Sequence, residues 1–177
     1  MDYYTQTITI AKVNDQDEIT GEIERWEAHK KGILHRGFTI ILTYGNFYVC
    51  QLRKHPVFNG VIDFAASSHQ IYSEGKIQNI NEAITKTLER EWQMKPEDLP
   101  TPIKLLGKIQ YNSFDGTYTE HELCHFYHSS VTKLPVFNAD FAYGYGLFSR
   151  DELKNLTPPL NTMIAPWVKE SLVAGII

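Results

Sequence analysis

The feature that most constrains the fold is one amphipathic helical segment set between runs of strand-like sequence. In residues 80–93, Ile80, Ala83, Ile84, Thr87, Leu88 and Trp92 recur at helical spacing on one face. Asn79 or Asn81 can cap this helix, Glu82 suits its first turn, and the Pro96–Pro100 region ends it. Before it lie an alternating run at 7–13 and a polar, turn-like stretch at 14–21. Residues 22–30 fit a short helix or an irregular turn. Two strands follow at 37–44 and 47–52, joined by Gly45-Asn46, and then the short apolar strand VIDFAAS. After it come strands near 103–113 and 120–131, the glycine-aromatic stretch FAYGYGLF, and helices expected at 150–156 and 160–173. Strands mixed with a central and a terminal helix predict an α/β sandwich, and 177 residues suit a single domain spanning 1–177.

The bulk chemistry narrows the function classes. Acidic residues outnumber Lys and Arg by 21 to 17, giving a net charge of −4, which argues against nucleic acid as a default partner. No apolar stretch is long enough to span a bilayer, and MDYYTQTITI has neither the basic nor the apolar region of a signal peptide. Cys50 and Cys124 lie in apolar runs and read as reduced, buried thiols. These features together predict a cytoplasmic protein without membrane partners; the oligomeric state is open.

Glu120 and Glu122 stand two apart on an expected strand, so both carboxylates share a face and repel unless a cation lies between them. His29, His35 and His69, from separate segments, are candidate partners. Imidazole with carboxylate suits zinc, manganese or iron, and carboxylate-rich sites suit magnesium or manganese. Spacing alone leaves the alternative that the acids are merely solvated, in a chain of seven histidines.

Five separated segments sharpen this reading: TGEIERWEAHKKGILHRGF (20–38), SSH (67–69), LEREWQM around Glu91, EHE (120–122) and APW (165–167). Their order resembles that of the type I isopentenyl-diphosphate isomerases, over most of the chain. The resemblance implies a Nudix fold, an α/β/α sandwich with a mixed sheet. It implies one divalent metal (Mn²⁺, Zn²⁺ or Mg²⁺) on His29, His35, His69, Glu120 and Glu122. It also implies that Glu91 helps hold a second ion, Mg²⁺, on the diphosphate of a prenyl substrate. The family's basic pocket matches Arg25, Arg53 and Lys54 or Lys86. Its catalytic glutamate, tyrosine and tryptophan match Glu122, Tyr111 and Trp167, and its catalytic cysteine position holds Ser67.

Two departures bear on activity. Nudix hydrolases carry several acids on the central helix, in the pattern G-x5-E-x7-R-E-U-x-E-E-x-G-U. Here the matching positions read Lys86, Thr87, Arg90 and Glu91, with Gln93 for the glycine, so one metal-binding acid remains. Ser67 is the other departure: a hydroxyl is a far weaker acid than a thiol of ordinary pKa near 8.5. The sequence therefore predicts isomerase-like proton transfer on isopentenyl diphosphate or a related prenyl diphosphate. The alternatives are a Nudix-fold hydrolase, a prenyl-cyclising protein or a non-catalytic diphosphate binder. Phe141 stands where the isomerases usually have an acid, which would make the pocket more aromatic.

Overall fold

A computed structural model describes residues 3–99 and 101–177. The N-terminal half runs β1 (Thr9–Val13), β2 (Ile19–Glu24), α1 (Arg25–Lys31), β3 (His35–Tyr44), β4 (Phe47–Arg53), β5 (Ile62–Asp63), β6 (Ala66–Ser68) and a small hairpin of β7 (Tyr72–Ser73) and β8 (Lys76–Ile77). The rest is α2 (Ile80–Trp92), β9 (Lys104–Phe114), β10 (Thr119–Val131), β11 (Ala142–Phe148), α3 (Arg150–Lys154) and α4 (Pro166–Val173). Among the described residues, nine strands form one mixed sheet.

β3 is the spine of that sheet. Along one edge it pairs in parallel with β10, from Glu122↔His35 to Val131↔Tyr44. Along the other it meets β1 at Lys12↔His35, then β6 from Phe38↔Ser68 to Ile40↔Ala66, then β4 from Leu42↔Val49 to Tyr44↔Phe47. β9 flanks β10, and β11 flanks β4.

The two-residue period of β3 sorts its side chains between two cores. Phe38, Ile40 and Leu42 pack with Ala83, Ile84, Leu88 and Trp92 of α2. Ile41 faces the opposite way and packs with Phe126, Leu153, Trp167 and Val168, under α3 and α4. Helices thus cover both faces, giving the expected α/β/α sandwich. Residues 35, 37 and 39 share the parity of Ile41, which places His35, Gly37 and Thr39 on the α4 side of the sheet.

Local departures from expectation have simple causes. Ile19–Gly21, expected as turn, is strand because β2 completes a hairpin with β1. VIDFAAS divides into β5, which pairs with β4, and β6, which pairs with β3. The expected helix over 160–173 is a single 3-10 turn at Leu160–Thr162 followed by α4, which Pro166 opens at its first position. FAYGYGLF, given no element by its composition, supplies β11, because its backbone pairs with β4 from Ala142↔Arg53 to Phe148↔Tyr48.

Asn79 is the cap of α2, accepting from the backbone N–H groups of Asn81 and Glu82. At the other end Gln93 takes the left-handed conformation, φ 51°, that favours glycine. Gln93→Gly should therefore raise stability by about 0.5–1 kcal/mol, read as a rise of roughly 1–4 °C in Tm by differential scanning calorimetry.

Candidate metal and diphosphate site

Four elements bring the metal-ligand candidates together. Glu24 caps α1 by accepting from the Glu27 backbone N–H, and Gly32, at φ 62°, ends the helix. This short helix buries His29, whose ring Nδ1–H donates to the Arg25 carbonyl at 2.6 Å. His35 begins β3, and its Nδ1–H donates to the Ile33 carbonyl at 2.8 Å. Because a carbonyl can only accept, each ring carries a proton on Nδ1, which leaves Nε2 as the atom turned toward the acids. His69 follows β6. The Nε2 atoms of His29, His35 and His69 are all buried without a hydrogen-bond partner.

Those three nitrogens converge with the acids of β10. One ligand atom from each of His29, His35, His69 and Glu120 lies within 4.8 Å of the others. His29 Nε2 is 3.2 Å from Glu120 Oε1, and His35 Nε2 is 4.0 Å from Glu120 Oε2. Glu122 joins through its Oε1, 3.2 Å from His69 Nε2. Burial and the neighbouring imidazoles push His35 down to about 4, so it stays neutral. Burial and His29 push His69 down to about 3, with the same result. Burial would lower His29 too, but the adjacent Glu120 carboxylate holds it above the ordinary value. Burial and the charge of Glu120 push Glu122 up to about 7. Buried imidazole lone pairs beside paired carboxylates fit a divalent cation, which would supply the positive charge that two adjacent acids lack.

Gly37 makes room for this arrangement. A Cβ built there would lie 1.6 Å from Glu122 Oε1, so the Glu122 carboxyl occupies the space over the glycine. Sequence reasoning passed over Gly37, although a glycine two residues from His35 inside a strand signals a close approach.

The proton-handling candidates flank the same glycine. Tyr111 donates from its hydroxyl to Glu122 Oε2 at 2.9 Å, and the Tyr111 and Trp167 rings lie 5.9 Å apart. Ser67, across β3, hydrogen-bonds Thr39 Oγ1 at 2.8 Å and donates to Asp63 Oδ1 at 3.1 Å. Ser67 and Glu122 thus stand on β6 and β10, on opposite edges of β3, in register with Thr39 and His35 respectively.

The basic candidates divide. Arg25 and Lys86 line a cavity of about 450 Å³ together with Ser68, His69, Thr87 and Arg90. Lys54 lines a wider cleft of about 870 Å³ with Tyr3, Tyr4, Arg90 and Phe141, and its Nζ donates to the Ala139 carbonyl. Arg53 lines neither: it is buried and bound to Asp63 Oδ2 at 3.2 Å. Arg90, missed by sequence reasoning although it adjoins Glu91, lines both. Its guanidinium stacks 3.9 Å from the Tyr3 ring, and Tyr3 also meets Arg25 at 4.8 Å. The Nε atoms of Arg25 and Arg90 are buried without a hydrogen-bond partner. Glu91 does not join the metal cluster; its carboxylate binds Arg90 at 2.6 Å. Phe141 lies beside the rings of Tyr3 and Tyr4, an aromatic wall in place of an acid. Among the described residues no helix is long and apolar enough to cross a membrane.

Protein purified without chelator should carry about one divalent metal per chain by elemental analysis. Metal at one hundred times its Kd should add about 2.7 kcal/mol, or roughly 5–10 °C in Tm, and a chelator should remove that gain. Gly37→Ala should displace Glu122 and lower metal occupancy, which the same elemental analysis reads.

No family model matches the chain. Among curated proteins, an isopentenyl-diphosphate Δ-isomerase of Pectobacterium atrosepticum is 26% identical over 147 residues, covering 81% of this chain and 78% of that one. Solved structures that resemble the chain include a Deinococcus radiodurans protein (TM-score 0.62, 18% identity, 82% of this chain and 85% of that one). A MutT Nudix hydrolase of Burkholderia pseudomallei gives a TM-score of 0.57 at 16% identity, over 79% and 96% of the two chains. The Nudix domain of Shewanella oneidensis NrtR, complexed with ADP ribose, gives 0.54 at 11% identity, over 80% and 84%. The architecture of this chain is the Nudix fold.

Proposed function

We propose that the chain is a metal-dependent, isomerase-like enzyme that moves a double bond in isopentenyl diphosphate or a related prenyl diphosphate. The observation that carries this reading is the pairing of the buried His/Glu cluster with two proton-handling residues, Glu122 and Ser67, on opposite edges of β3. Similarity to a curated isopentenyl-diphosphate isomerase supports it. The solved structures that share the fold do so at 11–18% identity and bear on architecture alone.

Double-bond migration adds a proton at one carbon and removes one two bonds away, through an intermediate with tertiary cation character. Glu122, steadied by the Tyr111 hydroxyl, stands on one side of the substrate and Ser67 on the other. Trp167, fully buried and beside Tyr111, offers an electron-rich face to the cation and keeps water away. Arg25, Arg90 and Lys86 take the diphosphate, with Lys54 at the rim of the wider cleft. Arg53 acts through Asp63 instead. His29, His35, His69, Glu120 and Glu122 hold a divalent ion, which when bound supplies fixed positive charge beside the carboxylates. Glu91 is the helix acid assigned to a Mg²⁺ carried by the diphosphate. The setting of this chemistry is the cytoplasm.

Ser67 favours a second reading, a prenyl-cyclising protein, a hydrolase or a diphosphate binder without turnover. One assay separates them. Purified protein with Mg²⁺ and Mn²⁺ is given isopentenyl diphosphate, and the dimethylallyl product and released phosphate are followed. Isomer without phosphate supports the proposal; phosphate without isomer, or neither, rejects it. Glu122→Gln should lower turnover by about 10²–10⁴-fold with the fold retained by circular dichroism. Ser67→Cys should raise isomerisation, by up to about 10²-fold, and Ser67→Ala should lower it.

A further inference from the structure

We propose that Asp63 is the positioning residue of Ser67: it holds the serine proton, turns the serine oxygen into a proton acceptor, and takes that proton up during turnover. This rests on the reading above and explains how a serine can serve where a thiol is expected.

Asp63 is wholly buried, 0% exposed, yet every hydrogen bond to its side chain comes from a donor. Oδ1 accepts from Ser67 Oγ at 3.1 Å, from Trp167 Nε1 at 2.6 Å and from the Phe64 backbone N–H at 2.8 Å. Oδ2 accepts from Arg53 Nη1 at 3.2 Å. These partners arrive from β4, β6, α4 and the adjoining backbone, and the remaining titratable neighbours are the thiols of Cys50 and Cys124. A carboxylate so surrounded has no proton to give, so the single proton of Ser67 points at Asp63.

The direction of the next bonds follows. With its proton committed, Ser67 accepts from the Thr39 hydroxyl at 2.8 Å, and the Thr39 oxygen lies 3.3 Å from the Cys124 sulfur. The chain of donors therefore runs from Thr39 through Ser67 to Asp63. Ser67 keeps one lone pair for a substrate, so it serves as the base, and the acid stands on the Glu122 side.

The step balances. The C–H bond beside the cationic carbon breaks, and its electron pair becomes the new double bond. The proton passes to Ser67 Oγ as the original Ser67 proton passes to Asp63 Oδ1. Serine is restored and Asp63 becomes a carboxylic acid, later deprotonated by exchange with solvent. Burial, opposed by Arg53 and the donors, pushes the Asp63 carboxyl up to about 6, close enough to neutrality to accept a proton. A purely structural tie between Arg53, Asp63 and Trp167 would need no hydroxyl at position 67.

The test compares wild type, Asp63→Asn, Ser67→Cys and the double variant on isopentenyl diphosphate, with metal content and folding measured for each. Asp63→Asn should lower kcat by about 10²–10³-fold with KM and metal occupancy unchanged. In the double variant a thiolate takes the proton from carbon and becomes the thiol without needing a relay, so kcat should recover to within about tenfold of Ser67→Cys. A double variant as impaired as Asp63→Asn would overturn the proposal and leave Asp63 a structural tie. A second arm needs no turnover: the Asp63 carboxyl is titrated by ¹³C NMR in wild type and Ser67→Ala. Loss of a donor to the ionised form should raise its midpoint, and an unchanged midpoint would overturn the proposal. Should neither wild type nor Ser67→Cys make isomer, the proposed function fails, and the titration alone decides whether Asp63 positions Ser67.

Discussion

The arrangement around which the rest of the site is organised is the burial of three imidazoles and two carboxylates at one point on the sheet. Burying ionised carboxylates costs several kcal/mol each unless they are compensated, and here the nearest compensating groups are histidines. Two of these, His29 and His35, are fixed by backbone carbonyls through Nδ1, which turns Nε2 inward. Such a set is poorly satisfied by itself and well satisfied around a divalent cation. The fold follows from the need to bring it together. α1 delivers His29, the start of β3 delivers His35, the end of β6 delivers His69, and the parallel β10 delivers both glutamates.

That parallel pairing sets the candidate proton-handling residues beside the buried His/Glu cluster. Glu122 lies opposite His35 in register, and Cys124 opposite Gly37. Omitting the side chain at Gly37 lets the Glu122 carboxyl fold over the strand toward β6. Thr39, one pleat further, ties Ser67 to Cys124 across the same strand. The column His35–Gly37–Thr39 thus grades from candidate metal ligand to space to polar link, on the face that α4 closes with Trp167. On the other face α2 supplies packing through Leu88 and Trp92, and its polar edge sends Thr87 and Arg90 to the cavity that His69 also lines.

Much of this was legible in the sequence. The E-x-E strand and the three histidines were candidates by residue type and were singled out by the resemblance to the isomerases, and the helix at 80–93 showed itself by its period. The features that were not legible depend on pairing. A composition rich in glycine and aromatics does not say that 142–148 joins β4, and VIDFAAS does not say that its two ends pair with different strands. Asp63 looked like one acid in an apolar run; only the approach of Arg53 and Trp167, distant in sequence, makes it a hub. Arg53 looked like a diphosphate ligand because it matches the basic pocket of the isomerases that the sequence resembles, whereas Arg90 lines both cavities and keeps a buried, unpartnered Nε. Gly37 carried a readable signal, a glycine within an apolar strand, that residue-type reasoning did not weigh.

The most direct measurement of the central claim is anomalous diffraction from crystals of the protein soaked with zinc. The account predicts one strong peak at coordination distance, about 2.0–2.2 Å, from the Nε2 atoms of His29, His35 and His69 and from carboxylate oxygens of Glu120 and Glu122. A peak elsewhere, or none while these five side chains point apart, would contradict it.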